Sequence, residues 1–142
     1  LTIERKIVIS KEGYVKQHFP DVDPGVRPCG NQIIVQLRTI RNATASGILL
    51  AADTQDFNKH NTQVSRLVKV GQIAFKDRSS GETWKEGAWA EVGDVVIAPK
   101  YGGFRFEVPI PGQDETAIFA VFNDYDVKMV VEANFETFDR LL

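Results

Sequence analysis

Cysteine is almost missing from this chain: Cys29 stands alone among 142 residues, so no internal disulfide can form. That points mildly to a reducing compartment. Flanked by Pro28 and Gly30 with no base beside it, Cys29 reads as an inert small residue rather than a nucleophile. Long apolar runs are missing too. Nothing approaches the roughly 20 consecutive apolar residues that a membrane-spanning helix needs. Neither sign of charge dominates: 17 basic against 19 acidic residues leave a net charge of −2, and the two signs are interspersed. An electrostatic partner such as nucleic acid or an anionic membrane therefore has no support. What remains is ordinary globular composition, 43% apolar and 25% charged, with a mean hydropathy of −0.18. At this length one domain with appendages and one sizeable core is expected.

Catalytic signatures are equally scarce. No serine lies in a Gly-x-Ser-x-Gly elbow, and neither a GxGxxG nor a P-loop pattern occurs. His18, ahead of Phe19-Pro20, and His60, between Lys59 and Asn61, read as solvated side chains. With one cysteine and two distant histidines, no structural zinc site can be assembled within the chain. Asp53, Asp56, Glu82 and Glu86 fall in expected loops and a hairpin, where solvated charge is the default. The Asn42-Ala43-Thr44 sequon lacks a secretion context, because LTIERKIVIS alternates instead of forming the apolar core of a signal peptide. A start at Leu1 rather than Met raises the expectation of residues upstream. The chain reads as no enzyme, with no cofactor and no metal of its own.

Hydrophobic periodicity is plentiful. Leu1, Ile3, Ile7 and Ile9 share one parity and predict a half-buried strand; Lys11-Glu12-Gly13 then reads as a turn, with Tyr14–Phe19 returning as a partner strand. Two prolines, two acids and a glycine between Pro20 and Gly25 predict a linker and a module boundary. Ile33, Val35 and Leu37 alternate with Ile34, Gln36 and Arg38, a strand with one core face. Residues 51–63 are polar and aperiodic, a long loop. Further strands are expected at 66–75, with Gly71 bending it, and at 95–98, 104–108, 117–122 and 127–131. Ser79-Ser80-Gly81 marks a hairpin tip, flanked by Ile73, Phe75, Trp84 and Trp89, and the tryptophans read as packing residues. On the last strand Val127, Met129 and Val131 face the core and Lys128 faces water. Many short strands and no long helical pattern predict an all-β fold, a small β-barrel. The tail differs: Phe135, Phe138, Leu141 and Leu142 have helical spacing, suiting a short amphipathic turn docked on a surface.

An ordered set of motifs then narrows the fold. Val26-Arg27-Pro28 leads into Asn31-Gln32-Ile33-Ile34-Val35; Gly47-Ile48-Leu49-Leu50 opens the long loop; Val70-Gly71, Val92-Gly93-Asp94-Val95-Val96-Ile97, Tyr101-Gly102, Asn123-Asp124-Tyr125-Asp126-Val127 and Val130-Val131-Glu132-Ala133 follow in order. Over residues 26–133 this order resembles the GroES family of co-chaperonins, the lids of chaperonin folding chambers. The resemblance implies a small β-barrel with a long mobile loop and a roof hairpin at Ile73 to Trp84. It implies a chaperonin ring as partner, with ATP bound by that partner, and a cytoplasmic setting. Gly47, Ile48, Leu49 and Leu50 would be the mobile-loop tip that binds the chaperonin. Burying three aliphatic side chains gives roughly 1.5–3 kcal/mol each before ordering is charged against it. Several loops presented by one ring then sum by multivalency. The family closes a ring, a heptamer, by pairing first and last strands of neighbours, so Ile33, Val35, Leu37, Val127, Met129 and Val131 would line the subunit interface.

The chain departs from the family at both ends. Residues 1–25 form an N-terminal extension with its linker and 134–142 a C-terminal tail, both apolar, around the 26–133 domain. Apolar additions are a liability unless buried. Two readings stay open: a co-chaperonin, or a GroES-like barrel reused as a structural module. The second would be a bacteriophage capsid-decorating or assembly protein, held in a virion through residues 1–19 and 134–142. A co-chaperonin of viral origin would instead act in host cytoplasm. The zinc alcohol dehydrogenase version of this barrel lacks its cysteine ligands here and a following Rossmann half.

Overall fold

A computed structural model describes residues 9–39 and 63–141. Gly47, Ile48, Leu49 and Leu50, together with the first eight residues, lie outside the described residues. The order is α1 (Lys11–His18), β1 (Gln32–Leu37), β2 (Val64–Val70), β3 (Val95–Ile97), β4 (Phe104–Pro109), β5 (Thr116–Asn123), a 3-10 turn (Asp124–Asp126), β6 (Met129–Val130) and α2 (Phe135–Leu141). The strands form one antiparallel sheet ordered β4-β5-β1-β2-β3-β6, the all-β fold expected. Among the described residues no ladder joins β4 to β6.

Burial on both faces explains the sheet. Ile33, Val35 and Leu37 of β1 share one cluster with Leu67, Val96, Ile118, Ala120, Phe122 and Val127. Expecting one core face for β1 understated its position. Ile34 and Gln36 on the other face are 1% and 0% exposed, because β1 lies between β5 and β2 and the N-terminal segment crosses over it. Pro20 O accepts a 2.8 Å bond from Gln36 Nε2, and Gln36 Oε1 accepts from Arg66. A buried amide is tolerable only when bonded in this way. Beside it Val22 packs with Ile34, Ile110, Ala117 and Phe119.

Two local expectations are corrected. Lys11–His18 is a helix rather than a turn followed by a strand. Ser10 caps it by accepting the Gly13 amide, and Glu12 in the first turn with Lys16 and His18 in the last match the helix dipole. Gly13 argues against helix by about 1 kcal/mol, and the docking of Tyr14 onto the sheet overrides it. His18, expected in water, is half-buried with its ring 4.6 Å from that of Tyr14. The last strand is shorter than 127–131 and keeps no strict alternation. Val127 and Val131 are buried in different clusters, while Met129 is 48% exposed. Only Met129 and Val130 pair in the ladder, Val127 being the C-cap of the 3-10 turn before it, so a single alternation does not run through 127–131.

β2 ends at Val70, one residue before Gly71, sooner than the expected strand through Phe75. A Cβ on Gly71 would press into backbone at Gly30 and Gln32, the latter oxygen only 2.9 Å away, so only glycine lets the chain pass this close to β1. The hairpin beyond has a bridge between Lys76 and Thr83. At its base Phe75 takes φ +60°, and its amide donates to the buried Asp124 carboxylate at 2.9 Å. Trp84 packs edge-on to Phe75, with Trp89 beside it.

Candidate functional site

The expected tip, Gly47 to Leu50, falls between Thr39 and Gln63, so the described part of the candidate site is the pair of stems that ends at those two residues. Arg38 N donates to Val64 O at 3.0 Å and Ala98 N to Gln63 O at 2.9 Å, which ties both stems to the sheet. Thr39 N donates to His18 O at 2.9 Å, so the end of α1 is fixed to the outgoing stem.

Beneath the stems lies a cluster that no local sequence pattern announces. Tyr14, Phe19, Val64, Val95, Ile97, Val131 and Phe135 pack together, with Ile9, Val15 and Phe138 at the margin. The helical tail expected at 135–142 is present as α2, and it docks here. Within the cluster Tyr14 Oη donates to Asp139 Oδ1 at 2.6 Å, and Arg38 Nη1 donates to the same oxygen at 2.8 Å and to the Asp139 carbonyl. Arg38 is 9% exposed, so its charge is nearly withdrawn from water and needs this partner. Burial alone would raise the Asp139 carboxyl. Hydrogen bonds from Tyr14 and Arg38 and the charges of Arg38 and His18 outweigh it, holding the group below the usual carboxylate range. Burial and the bond to Asp139 push the Tyr14 hydroxyl well above the ordinary phenol range, so it stays a donor. Asp94 anchors the far end of α1 through a 2.8 Å ion pair with Lys11. Burial works against the charged form there too, and the Lys11 bond, the Glu91 amide and the Lys11 charge prevail, lowering its pKa.

The structure places the expected interface residues differently from one another. Ile33, Val35 and Leu37 sit on a strand whose two neighbours belong to its own chain, so the ladder leaves β1 no open edge. Met129 sits on β6, which pairs only with β3 among the described residues. Val127 and Met129, with Trp89, Lys128 and Val130, border a shallow cavity of about 220 Å³ along that open side. Ahead of β1, Val26 is 46% exposed. The opposite edge, β4, carries Phe104, and Tyr101 precedes it; both are largely exposed. Cys29 is exposed. Among the described residues no three His, Cys, Asp or Glu side chains converge as a metal site would require, and no helix is long and apolar enough to cross a membrane.

Comparison with known proteins agrees with this geometry. The family model described as the chaperonin 10 Kd subunit matches residues 25–130. A co-chaperonin GroES from Acetivibrio thermocellus is 33% identical over 107 residues, covering 75% of this chain and 98% of that protein. One from Caldicellulosiruptor saccharolyticus is 32% identical over 93 residues, covering 66% and 86%. A third, from Geobacillus stearothermophilus, is 30% identical over 106 residues, covering 75% and 98%. The matched region begins at the end of the Pro20–Gly25 segment and stops at β6, leaving α1 and α2 outside it.

Proposed function

Because the chain belongs to the chaperonin 10 kDa subunit family, we propose that it is a co-chaperonin that caps a chaperonin ring and assists ATP-dependent folding, with nucleotide chemistry left to its partner. The match across residues 25–130 carries this reading. In it, Gly47, Ile48, Leu49 and Leu50 supply the contact. Glycine gives the turn freedom, and three aliphatic side chains give hydrophobic burial that stays moderate in one chain and adds up over a ring. The setting is cytoplasmic.

The sheet edges among the described residues support a ring. The side of β6 at Met129, flanked by Val127 and Val131, would receive the segment around Val26 of a neighbour, a heterologous contact that closes on itself. Ile33, Val35 and Leu37 support that seam from the core behind it. The ring is a heptamer on this reading. The barrel unit is residues 26–133, and residues 1–25 and 134–142 are additions to it.

The rival reading, a capsid-decorating or assembly module held by apolar arms, loses its motive among the described residues. Tyr14, Phe19 and Phe135, which would insert into a foreign surface, are 1%, 2% and 5% exposed within their own chain. Leu49→Asp is expected to abolish ATP-dependent binding to a bacterial chaperonin while leaving the fold intact by circular dichroism. Undiminished binding by that variant would falsify the loop assignment. Mass measurement should give a ring of about seven subunits; a monomer or trimer rejects the seam.

A further inference from the structure

Two described elements lie outside the family-matched region, α1 and α2, and each contributes an aromatic side chain to one buried cluster. α1 and α2 meet there: the Tyr14 and Phe135 rings stack with centroids 5.3 Å apart, and Tyr14 Oη bonds to Asp139. Both helices hold the outgoing stem, and the returning stem packs beside them. α1 takes the Thr39 amide on His18 O, α2 takes the Arg38 guanidinium on Asp139, and Val64 of the returning stem packs in the cluster between them.

Ladder ends fray unless something holds them. Arg38 and Thr39 lie past the last residue of β1, and Gln63 lies before the first of β2. Arg38 N and Gln63 O each keep one backbone bond to the sheet, so what the helices add is the hold on Thr39 N and on the Arg38 side chain; without it the outgoing stem would be fixed only as far as the Arg38 amide. In the co-chaperonin reading, a wider spread in the point from which the contact segment starts lowers its effective concentration at the partner, and several subunits acting together multiply the loss. We propose that Tyr14, Arg38 and Asp139 are positioning residues: with α1 and α2 they brace the two stems, fixing the point and direction from which the chaperonin-binding segment leaves the sheet. The device rests on the co-chaperonin reading given above for its purpose, but not for its existence. Asp139 is the latch, since one carboxylate oxygen accepts from both Tyr14 and Arg38 and so joins both helices to the outgoing stem.

The test uses the full chain, comparing wild type with Asp139→Ala, Asp139→Glu and the milder Tyr14→Phe, which keeps the test usable if Asp139→Ala folds poorly. Amide hydrogen exchange should speed up by about tenfold or more at Thr39 in Asp139→Ala, with Ile34 and Val35 in mid-β1 unchanged. Binding to bacterial chaperonin with ATP should weaken by about fivefold or more as stem losses multiply round the ring. Tyr14→Phe should show a smaller loss on both readouts, and Asp139→Glu a partial rescue. Unchanged Thr39 exchange in both Asp139→Ala and Tyr14→Phe overturns the brace. Faster exchange with unchanged chaperonin affinity overturns its positioning role. Wild-type protein that binds no chaperonin overturns the loop reading, and the positioning role with it, while Thr39 exchange still decides separately whether the brace exists.

Discussion

At the hairpin tip and at the stems of residues 40–62, a carboxylate gathers donors, but it gathers them over very different distances along the chain. Asp77 Oδ1 accepts from Ser79 N, Ser79 Oγ and Ser80 N, two and three positions away, all exposed. Asp139 accepts from Tyr14 and Arg38 across 125 and 101 positions in a part-buried site. The first is a turn that a short peptide would attempt unaided. The second exists only after the sheet and both helices have assembled, so ordering of many residues stands behind it. Both carboxyls are held below the usual range, Asp77 first by the Ser79 hydroxyl and then by backbone amides, Asp139 against the penalty of burial. A similar direction of shift therefore has different consequences for stability.

The largest expected break in this comparison is Phe135→Ala. It empties the centre of the cluster joining α2 to α1 and β3, and should cost about 3–5 kcal/mol by urea unfolding. Asp139→Ala comes next at roughly 2–3 kcal/mol, below the usual cost of breaking a buried pair because the Asp139 side chain is 30% exposed. The pH dependence has a definite sign. A carboxylate with a depressed folded pKa contributes its full stability above the unfolded value of about 3.9 and loses it as pH falls through the folded value. Wild type and Asp139→Asn should therefore differ most at neutral pH and converge as acid protonates Asp139. A gap that persists once Asp139 is protonated would argue against an ionic latch. Asp77→Ala is the smallest effect: despite three accepted bonds its thermal midpoint should stay closest to wild type. A drop rivalling that of Asp139→Ala would erase the distinction between the two ends.

How much was legible depended on how far each signal reached. β1 and β4 are legible from period-two patterning, β3 and β5 from short continuous apolar runs, and α2 because Phe135 and Phe138 carry the helical period; β2 is legible as a strand but not in its bounds. α1 is not legible. Glycine in its first turn argues against a helix; the Ser10 cap and the charges at its two ends favour one, and the packing of Tyr14 against Val64, Val95 and Phe135 decides for it. Alternation extended across 127–131 places Met129 in the core, whereas the strand is only Met129–Val130 and Val127 belongs to the cap of the 3-10 turn, so the alternation does not hold there. The loop tip was read from Gly47 to Leu50 by resemblance, and those residues lie outside the described ones. Alternation puts Arg38 on the face of β1 away from the core residues, and no nearby residue hints at Asp139.

By itself, then, the sequence determined the all-β class, the family and the order of its motifs, because these rest on periods and turns encoded within a few residues of each other. Tertiary structure alone decided that β1 lies mid-sheet with both edges taken, that among the described residues the sheet ends at β4 and β6, and that α1 and α2 meet beside the stems at Thr39 and Gln63. Those outcomes depend on which distant surfaces can be buried together. Burial is a property of the assembled chain and has no period along it.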